Sequence, residues 1–343
     1  MNQTMKAVVL TGTGGPEALS YQEVPLSWPG RDDDVLVRLA AAALNPADIY
    51  FRRMGTYVQG EQPCILGHDG AGEVLAVGPG VHNLRPGDRV CFCNGGIGAD
   101  PGTYAEYAIV PEALAVRIHP KVDFCTAAAL PLVAITAWEA LYERAAITSA
   151  EPVLIHAGAG GTGQIAIQLA KLRGAQVATT VSTPAKAKVA QALGADLVIA
   201  YHEEDFVSAV LGWTKGNGAS VALDNVGGDA LHATFRAMAP YGRVVTLKGM
   251  PEGDGDWTAY NRNLTIHNIM MLTPMWLGLA ERRVEQAKYV AKAMTLVADG
   301  QLRVAISARF PLAKAAAAQE YLASGAAVGK VVLEIPGDPE TSS

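Results

Sequence analysis

Along the first 128 residues, apolar positions come in short runs that alternate with polar ones: MKAVVLTG, DVLVRLAAAAL, GAGEVLAVG, DRVCFC and YAEYAIV. A period of two, interrupted by turn-forming clusters such as GGPE and LRPGD, predicts β-strands, so this portion reads as compact and mostly β. From Ala127 the rhythm changes. Short apolar runs (PVLIHAG, AQVATTV, ADLVIAY, SVALDNV, GRVVTLKG) alternate with stretches of helical spacing through QIAIQLAKLRG, KAKVAQALG, FVSAVLGWTKG and HATFRAMA. Strands separated by helices of roughly 10 to 15 residues predict βαβ units and a parallel sheet buried on both faces. NLTIHNIMML predicts the last strand of that sheet, and Gly278 to Asp299 a helix. The end of the chain reads as strand, alanine-rich helix and a closing strand, GKVVLEI, that returns to the N-terminal portion. The expected division is residues 1–128 with 275–343 against 129–274.

Composition narrows the partners. The chain has 343 residues, 50% of them apolar, which is enough for two well-packed cores. Its net charge is −6 and no basic run occurs, which argues against nucleic acid or an anionic membrane as the main partner and favours a small molecule. No segment reaches the ~20 apolar residues of a membrane span, and the start lacks a secretory pattern, so a cytoplasmic location is expected. The four cysteines, Cys64, Cys91, Cys93 and Cys125, lack the spacing of a disulfide framework or a structural zinc site. Cys91 and Cys93 fall in the alternating RVCFC, which reads as a strand with core thiols.

The strongest chemical signal is HAGAGGTG, His156 to Gly163, lying between the apolar strand at 152–155 and an apolar helix. Gly158, Gly160 and Gly163 fit G-x-G-x-x-G, with Ala159, Gly161 and Thr162 between them. Side chains here would block the tight turn or hold backbone amides away from a pyrophosphate, which the helix N-terminus attracts. An NAD enzyme places an acid about 20 residues further on, at the end of the second strand. ATTVSTPAKAK has none there, but offers Ser182, Thr183 and Lys186, hydroxyls and a cation suited to a 2′-phosphate; NADPH is therefore expected rather than NADH. Lys188 reads as part of a solvated helix face.

A second question is raised by ILGHDGAGEV, where His68 sits beside an acid and between glycines. Together with MKAVVLTGTGGPE, LNPADIYFRRMG, GTYAEYAIVP, ALPLVAITAWEAL, the glycine loop, DNVGG and the terminal GKVVLEI, this stretch resembles the medium-chain dehydrogenase/reductase superfamily, and within it the zinc-independent quinone oxidoreductases. The resemblance covers nearly the whole chain. It implies a Rossmann doubly wound parallel sheet for NADPH (129–274) and a mostly β, GroES-like catalytic domain (1–128 and 275–343). In the zinc enzymes of that superfamily, the metal takes a cysteine from the segment matching LNPAD, the histidine of the glycine-flanked loop, and a second cysteine near the start of the nucleotide domain. This chain offers Asn45, His68 and the apolar surroundings of Leu132, one ligand of three, so no metal is expected and His68 reads as a hydrogen-bonding residue of the cleft wall.

The resemblance also assigns roles. It places Asn45, Thr136, Asn225, Val226 and Lys330 on the nicotinamide side, Tyr201 beside the adenosine phosphate, and Tyr50 at the substrate pocket. Without a Lewis acid, an electron-poor quinone or conjugated enone is the fitting hydride acceptor, with Tyr50 as donor to the developing oxyanion and Asn45 assisting. Three other readings stay open: reduction of the carbon–carbon double bond of an alkenal or enone, a zinc-dependent alcohol dehydrogenase using His68, and a low-turnover NADPH-binding regulatory protein. The scarcity of strong acid–base residues at positions expected to line the cleft keeps the last of these open. Loops 51–59 and 261–276 are expected to select the acceptor. NLTIHNIMML, as an apolar edge strand, is expected to pair with its copy in a homodimer.

Overall fold

A computed structural model describes residues 4–26, 28, 30–57, 64–249 and 257–336, in two units. The chain up to Leu132 and from Leu272 forms unit 1; Val133–Met271 forms unit 2.

In unit 1, β1 (Thr4–Leu10) pairs antiparallel with β2 (Leu19–Pro25), and also with β4 (Cys64–Ile65). The larger sheet is built around β3 (Asp34–Ala43), which pairs antiparallel with β5 (Asp69–Val77) and β7 (Tyr107–Pro111). Beyond β5 lie β6 (Arg89–Cys93) and β8 (Val116–Arg117). The strand pattern predicts no helix beside β3, yet the chain passes from β3 into α1 (Pro46–Met54). The segment NPAD explains it: Asn45 and Asp48 form a reciprocal capping box, and Pro46 occupies the position where a missing N–H costs nothing. α2 (Phe124–Ala128) likewise falls within what was read as mostly β; α3 (Pro131–Trp138) and a π-helical turn at Glu139–Arg144 follow, Val133 being the first residue of unit 2. The alternating stretch YAEYAIV is strand only from Tyr107; before it, Ala105 makes a single bridge to Ala7.

Unit 2 carries the β/α rhythm: β9 (Pro152–Ile155), α4 (Gly161–Leu172), β10 (Gln176–Val181), α5 (Pro184–Ala192), β11 (Leu197–Ala200), α6 (Phe206–Trp213), β12 (Ala219–Asp224), α7 (Gly228–Ala237), β13 (Met238–Thr246), α8 (Thr258–Asn261) and β14 (Thr265–Asn268). The strands are parallel in the order β11-β10-β9-β12-β13-β14, so the path reverses between β9 and β12. That order makes the sheet doubly wound and opens a crevice at the carboxyl ends of β9 and β12. Leu154, Ala178, Ile199 and Ala222 from the sheet pack with Val210, Leu231 and Phe235 from the helices in a fully buried cluster. Of NLTIHNIMML only Thr265–Asn268 is strand, and it lies at the edge of the sheet.

The chain then returns to unit 1 through α9 (Thr273–Trp276), α10 (Ala280–Ala298), β15 (Ile306–Pro311), α11 (Ala315–Ala323) and β16 (Lys330–Glu334). β16 pairs parallel with β15 and antiparallel with β3, setting Val332 opposite Ala43. The closing strand thus joins the sheet of the N-terminal portion, and carries Lys330 in from the far end of the sequence.

Candidate functional site

Unit 2 presents a cradle at the crevice. β9 runs into the glycine loop, and α4 begins at Gly161 with Gly160 as N-cap making no side-chain cap bond. The first-turn N–H groups of a helix lack intrahelical acceptors and attract anions. A Cβ on Gly158 would stand 2.0 Å from Thr179 Oγ1, and one on Gly163 2.2 Å from the Ala157 carbonyl oxygen. Those two glycines are demanded by packing. At Gly160 the added carbon would meet only the Ala157 carbonyl oxygen, at 3.2 Å, a milder crowding than at the other two.

Past β12, Asn225 donates from Nδ2 to the His156 carbonyl (2.7 Å), bridging the two strand ends at the switch point. Its Oδ1 is buried and lacks a hydrogen-bond partner among the described residues. Asp224 fixes that turn: its carboxylate accepts from Val226 N–H (3.0 Å), Gly227 N–H (3.0 Å) and Thr246 Oγ1 (2.9 Å). Val226 itself is exposed. At the end of β10, Lys186 Nζ donates to Ser182 Oγ (3.1 Å), while Thr183 caps α5. Lys188 is exposed. Tyr201 is half exposed, with its ring 4.3 Å from that of His202, and Thr136 is buried on α3. An open glycine turn, an orphaned amide oxygen and a lysine–serine pair fit a phosphorylated dinucleotide. His156 and Asp224, which hold this turn from behind, carry no local signature in the sequence.

Unit 1 gathers a buried polar cluster. Asp69, entirely buried, accepts from Leu132 N–H (2.8 Å), Asn45 Nδ2 (2.9 Å) and Lys330 Nζ (3.1 Å). Lys330 also donates to Asn45 Oδ1 at 2.5 Å, so Asn45 and Lys330 are joined as side chains and neither is at the surface. Asp48, one turn into α1, accepts through Oδ2 from Asn45 N–H (2.8 Å) and Tyr104 OH (2.9 Å). Its Oδ1 lies 3.4 Å from His68 Nε2. His68 Nδ1 is 2.7 Å from the Gly95 carbonyl, which can only accept, so Nδ1 carries a hydrogen. A lone pair on Nε2 would then face a carboxylate oxygen; the contact is favourable when the pair holds one further proton. Burial pushes the Asp48 carboxyl up, against the opposing pull of His68, the Asn45 N–H, Tyr104 and Lys330.

Asp48, His68, Asp69, Tyr104 and Lys330 thus form a buried acid–base cluster in unit 1 that the sequence alone did not bring together. The zinc donor set does not fit. Asn45 supplies a committed amide, His68 turns one nitrogen to a carbonyl, and Leu132 contributes only its backbone. Cys91 and Cys93 are free thiols on β6, and burial raises both. Tyr50 stands outside the cluster, half exposed, with its ring 5.8 Å from Phe51 and 6.4 Å from Tyr57. Tyr57 in turn meets Trp276 at 5.1 Å, bringing together the two segments expected to select the acceptor; Gln59 lies outside the described residues.

Comparison with known proteins agrees with this architecture. Residues 31–120 match the alcohol dehydrogenase GroES-like domain, and residues 193–333 the zinc-binding dehydrogenase domain. The chain is 35% identical over 330 residues to a quinone oxidoreductase of Pseudomonas aeruginosa, covering 96% of this chain and 99% of the relative. It is 32% identical over 335 residues to a 2-haloacrylate reductase of a Burkholderia species (95% and 98%). The crystal structure of a Pseudomonas syringae pv. Tomato quinone oxidoreductase superposes with a TM-score of 0.85 at 34% identity, covering 96% of this chain and 99% of that one. The protein is an oxidoreductase and belongs to the quinone oxidoreductase family of the medium-chain dehydrogenases/reductases.

Proposed function

We propose that the protein is an NADPH-dependent reductase that passes hydride to a quinone or conjugated carbonyl acceptor without zinc. The observation that carries the cofactor assignment is the Lys186–Ser182 pair at the end of β10, where a cation and a hydroxyl replace the acid of an NAD enzyme. NADPH, when bound, supplies the hydride. Gly158 to Gly163 receive the pyrophosphate on backbone N–H groups, Tyr201 lies along the adenosine phosphate, and Thr136, Asn225 and Val226 orient the nicotinamide end. Asn225 Oδ1, buried and unpartnered among the described residues, accepts from a donor on the cofactor. Lys330 and Asn45 hold each other rigid on this reading, so Asn45 assists by position. Tyr50, half exposed, is the donor to the oxyanion that develops as the acceptor is reduced.

The same side chains serve reduction of a conjugated carbon–carbon double bond, which the likeness to a 2-haloacrylate reductase supports as a second reading. The deciding assay follows NADPH consumption by chelator-treated protein, with NADH as control, against a benzoquinone, a linear enal, a cyclic enone and a simple ketone. NADPH-selective turnover of the quinone or an enone, unaffected by chelation and lowered at least 10-fold by Tyr50→Phe, is the expected result. Activity that vanishes with the chelator and returns with zinc ends the zinc-free reading; an unchanged Tyr50→Phe variant ends the donor assignment.

A further inference from the structure

Arg52 lies one helical turn beyond Asp48 on α1 and is 2% exposed. Its Nε and Nη1 are buried without a hydrogen-bond partner among the described residues, an unusual condition for a guanidinium. Arg52 forms the floor of an open cleft of about 510 Å³ in unit 1, whose walls are Gly14, Gly15, Arg53, Glu320 and Ser324. None of these residues belongs to the hydride-transfer machinery proposed above. Arg53 is exposed at the rim and adds a second fixed positive charge. Glu17, next in sequence to the lining residue Pro16, is turned onto the backbone: its Oε1 accepts from Gly15 N–H at 2.9 Å. Glu320 is exposed on α11, and no ion pair joins it to Arg52. Burial holds the Arg52 guanidinium below its ordinary value, with Arg53 adding to the effect while Glu17 and Glu320 oppose it.

A buried guanidinium with unsatisfied N–H groups is costly to keep unless something accepts from it. Planar, bidentate acceptance is what phosphate and carboxylate oxygens supply. The cleft's volume suits a small molecule rather than a macromolecular edge. We propose that this cleft is a binding site for a small oxyanion, a phosphate or a phosphomonoester, held by Arg52 from below and Arg53 from the rim.

The test measures thermal midpoints with sodium phosphate and with glycerol phosphate against sodium chloride of equal ionic strength. Saturating NADPH is present throughout, so that phosphate at the glycine turn does not contribute. Wild-type protein is expected to gain several degrees over the chloride control, Arg53→Gln to lose about half of that gain, and Arg52→Lys to lose most of it. A larger gain with glycerol phosphate than with phosphate identifies an organic ester as the ligand class. Where Arg52→Lys does not fold, the Arg52 Nε resonance of the ¹⁵N-labelled wild-type chain is followed through the phosphate titration and is expected to shift. No gain over chloride, gains equal in wild type and Arg53→Gln, or an unmoved Nε resonance overturns the proposal.

Discussion

His156 stands where β9 ends and the glycine turn begins, and hydroxyls rather than charges surround its ring. Thr234 Oγ1 donates to the Ala230 carbonyl (2.7 Å) and so accepts from His156 Nε2 (2.8 Å). Thr180 Oγ1 accepts from Ala157 N–H (3.2 Å) and so donates to Nδ1 (3.0 Å). The neutral imidazole satisfies every partner, and a second ring proton would displace one. Burial accordingly pulls its pKa down to about 4, with Asp224 opposing. In the unfolded chain a histidine titrates near 6.5, so on acidification the unfolded state takes up the proton first. The contribution to stability is complete above that value and is lost as pH falls toward 4, by up to roughly 3 kcal/mol. Denaturant melts of wild type and His156→Gln at pH 7 and pH 4 check this: glutamine can make both hydrogen bonds without titrating, so the wild type should lose more stability than the variant. Equal losses would show that the ring does not stay neutral. At this scale the sequence is legible where the constraint is local. The steric demand at Gly158 and Gly163 is written in their spacing, whereas His156 depends on Thr180 and Thr234, 24 and 78 residues away.

Elements in unit 1 are tied through one ammonium. Lys330 enters on β16, Asp69 opens β5 and Asn45 precedes α1, so a single cation fastens the closing strand to the central sheet and the helix cap. Removing it leaves the Asp69 carboxylate, 0% exposed, without its cation. Lys330→Met is expected to cost about 3–5 kcal/mol. Adding Asp69→Asn should recover a substantial part, because its amide oxygen can keep the bond from Leu132 N–H while its NH2 donates to the Asn45 Oδ1 that Lys330 has vacated, with no buried charge. Urea melts of the two single variants and the double variant test the coupling; strictly additive losses would mean that the three groups act separately. None of this was open to a reading by periodicity, since Lys330 and Asn45 are separated by 285 residues. Helices α1 and α3 were hidden for another reason. α3 is apolar all round, so PLVAITAW carries no 3.6-residue stripe, and α1 is signalled only by its capping pair. In unit 2, by contrast, α4, α5 and α6 are each separated from the next strand by a turn containing glycine, and the alternation of periods was readable directly.

At the scale of the whole molecule, the sequence showed which segments are strands of the parallel sheet but not their order, because the reversal between β9 and β12 is fixed by pairing and not by any local pattern. The order matters for assembly, since it leaves β14 at an edge. β14 is short, Thr265–Asn268, and pairs on one side with β13; the apolar Ile269, Met270 and Met271 continue from it, Met270 being 39% exposed. An edge strand presents unpaired backbone N–H and C=O groups along one side, and proteins blunt such edges with charge, proline or a covering element. The strand itself, Thr265, Ile266, His267 and Asn268, carries neither proline nor a carboxylate, lysine or arginine. Pairing of β14 with its copy in a second chain would extend the sheet through a two-fold axis, in which each strand offers the same groups to the other. We therefore expect a homodimer. Light scattering at micromolar concentration should give twice the 35.9 kDa of one chain, and the mass should hold on moderate dilution. A mass of one chain would show that this edge is left to solvent, and that the short length of β14 is by itself enough to keep it unpaired.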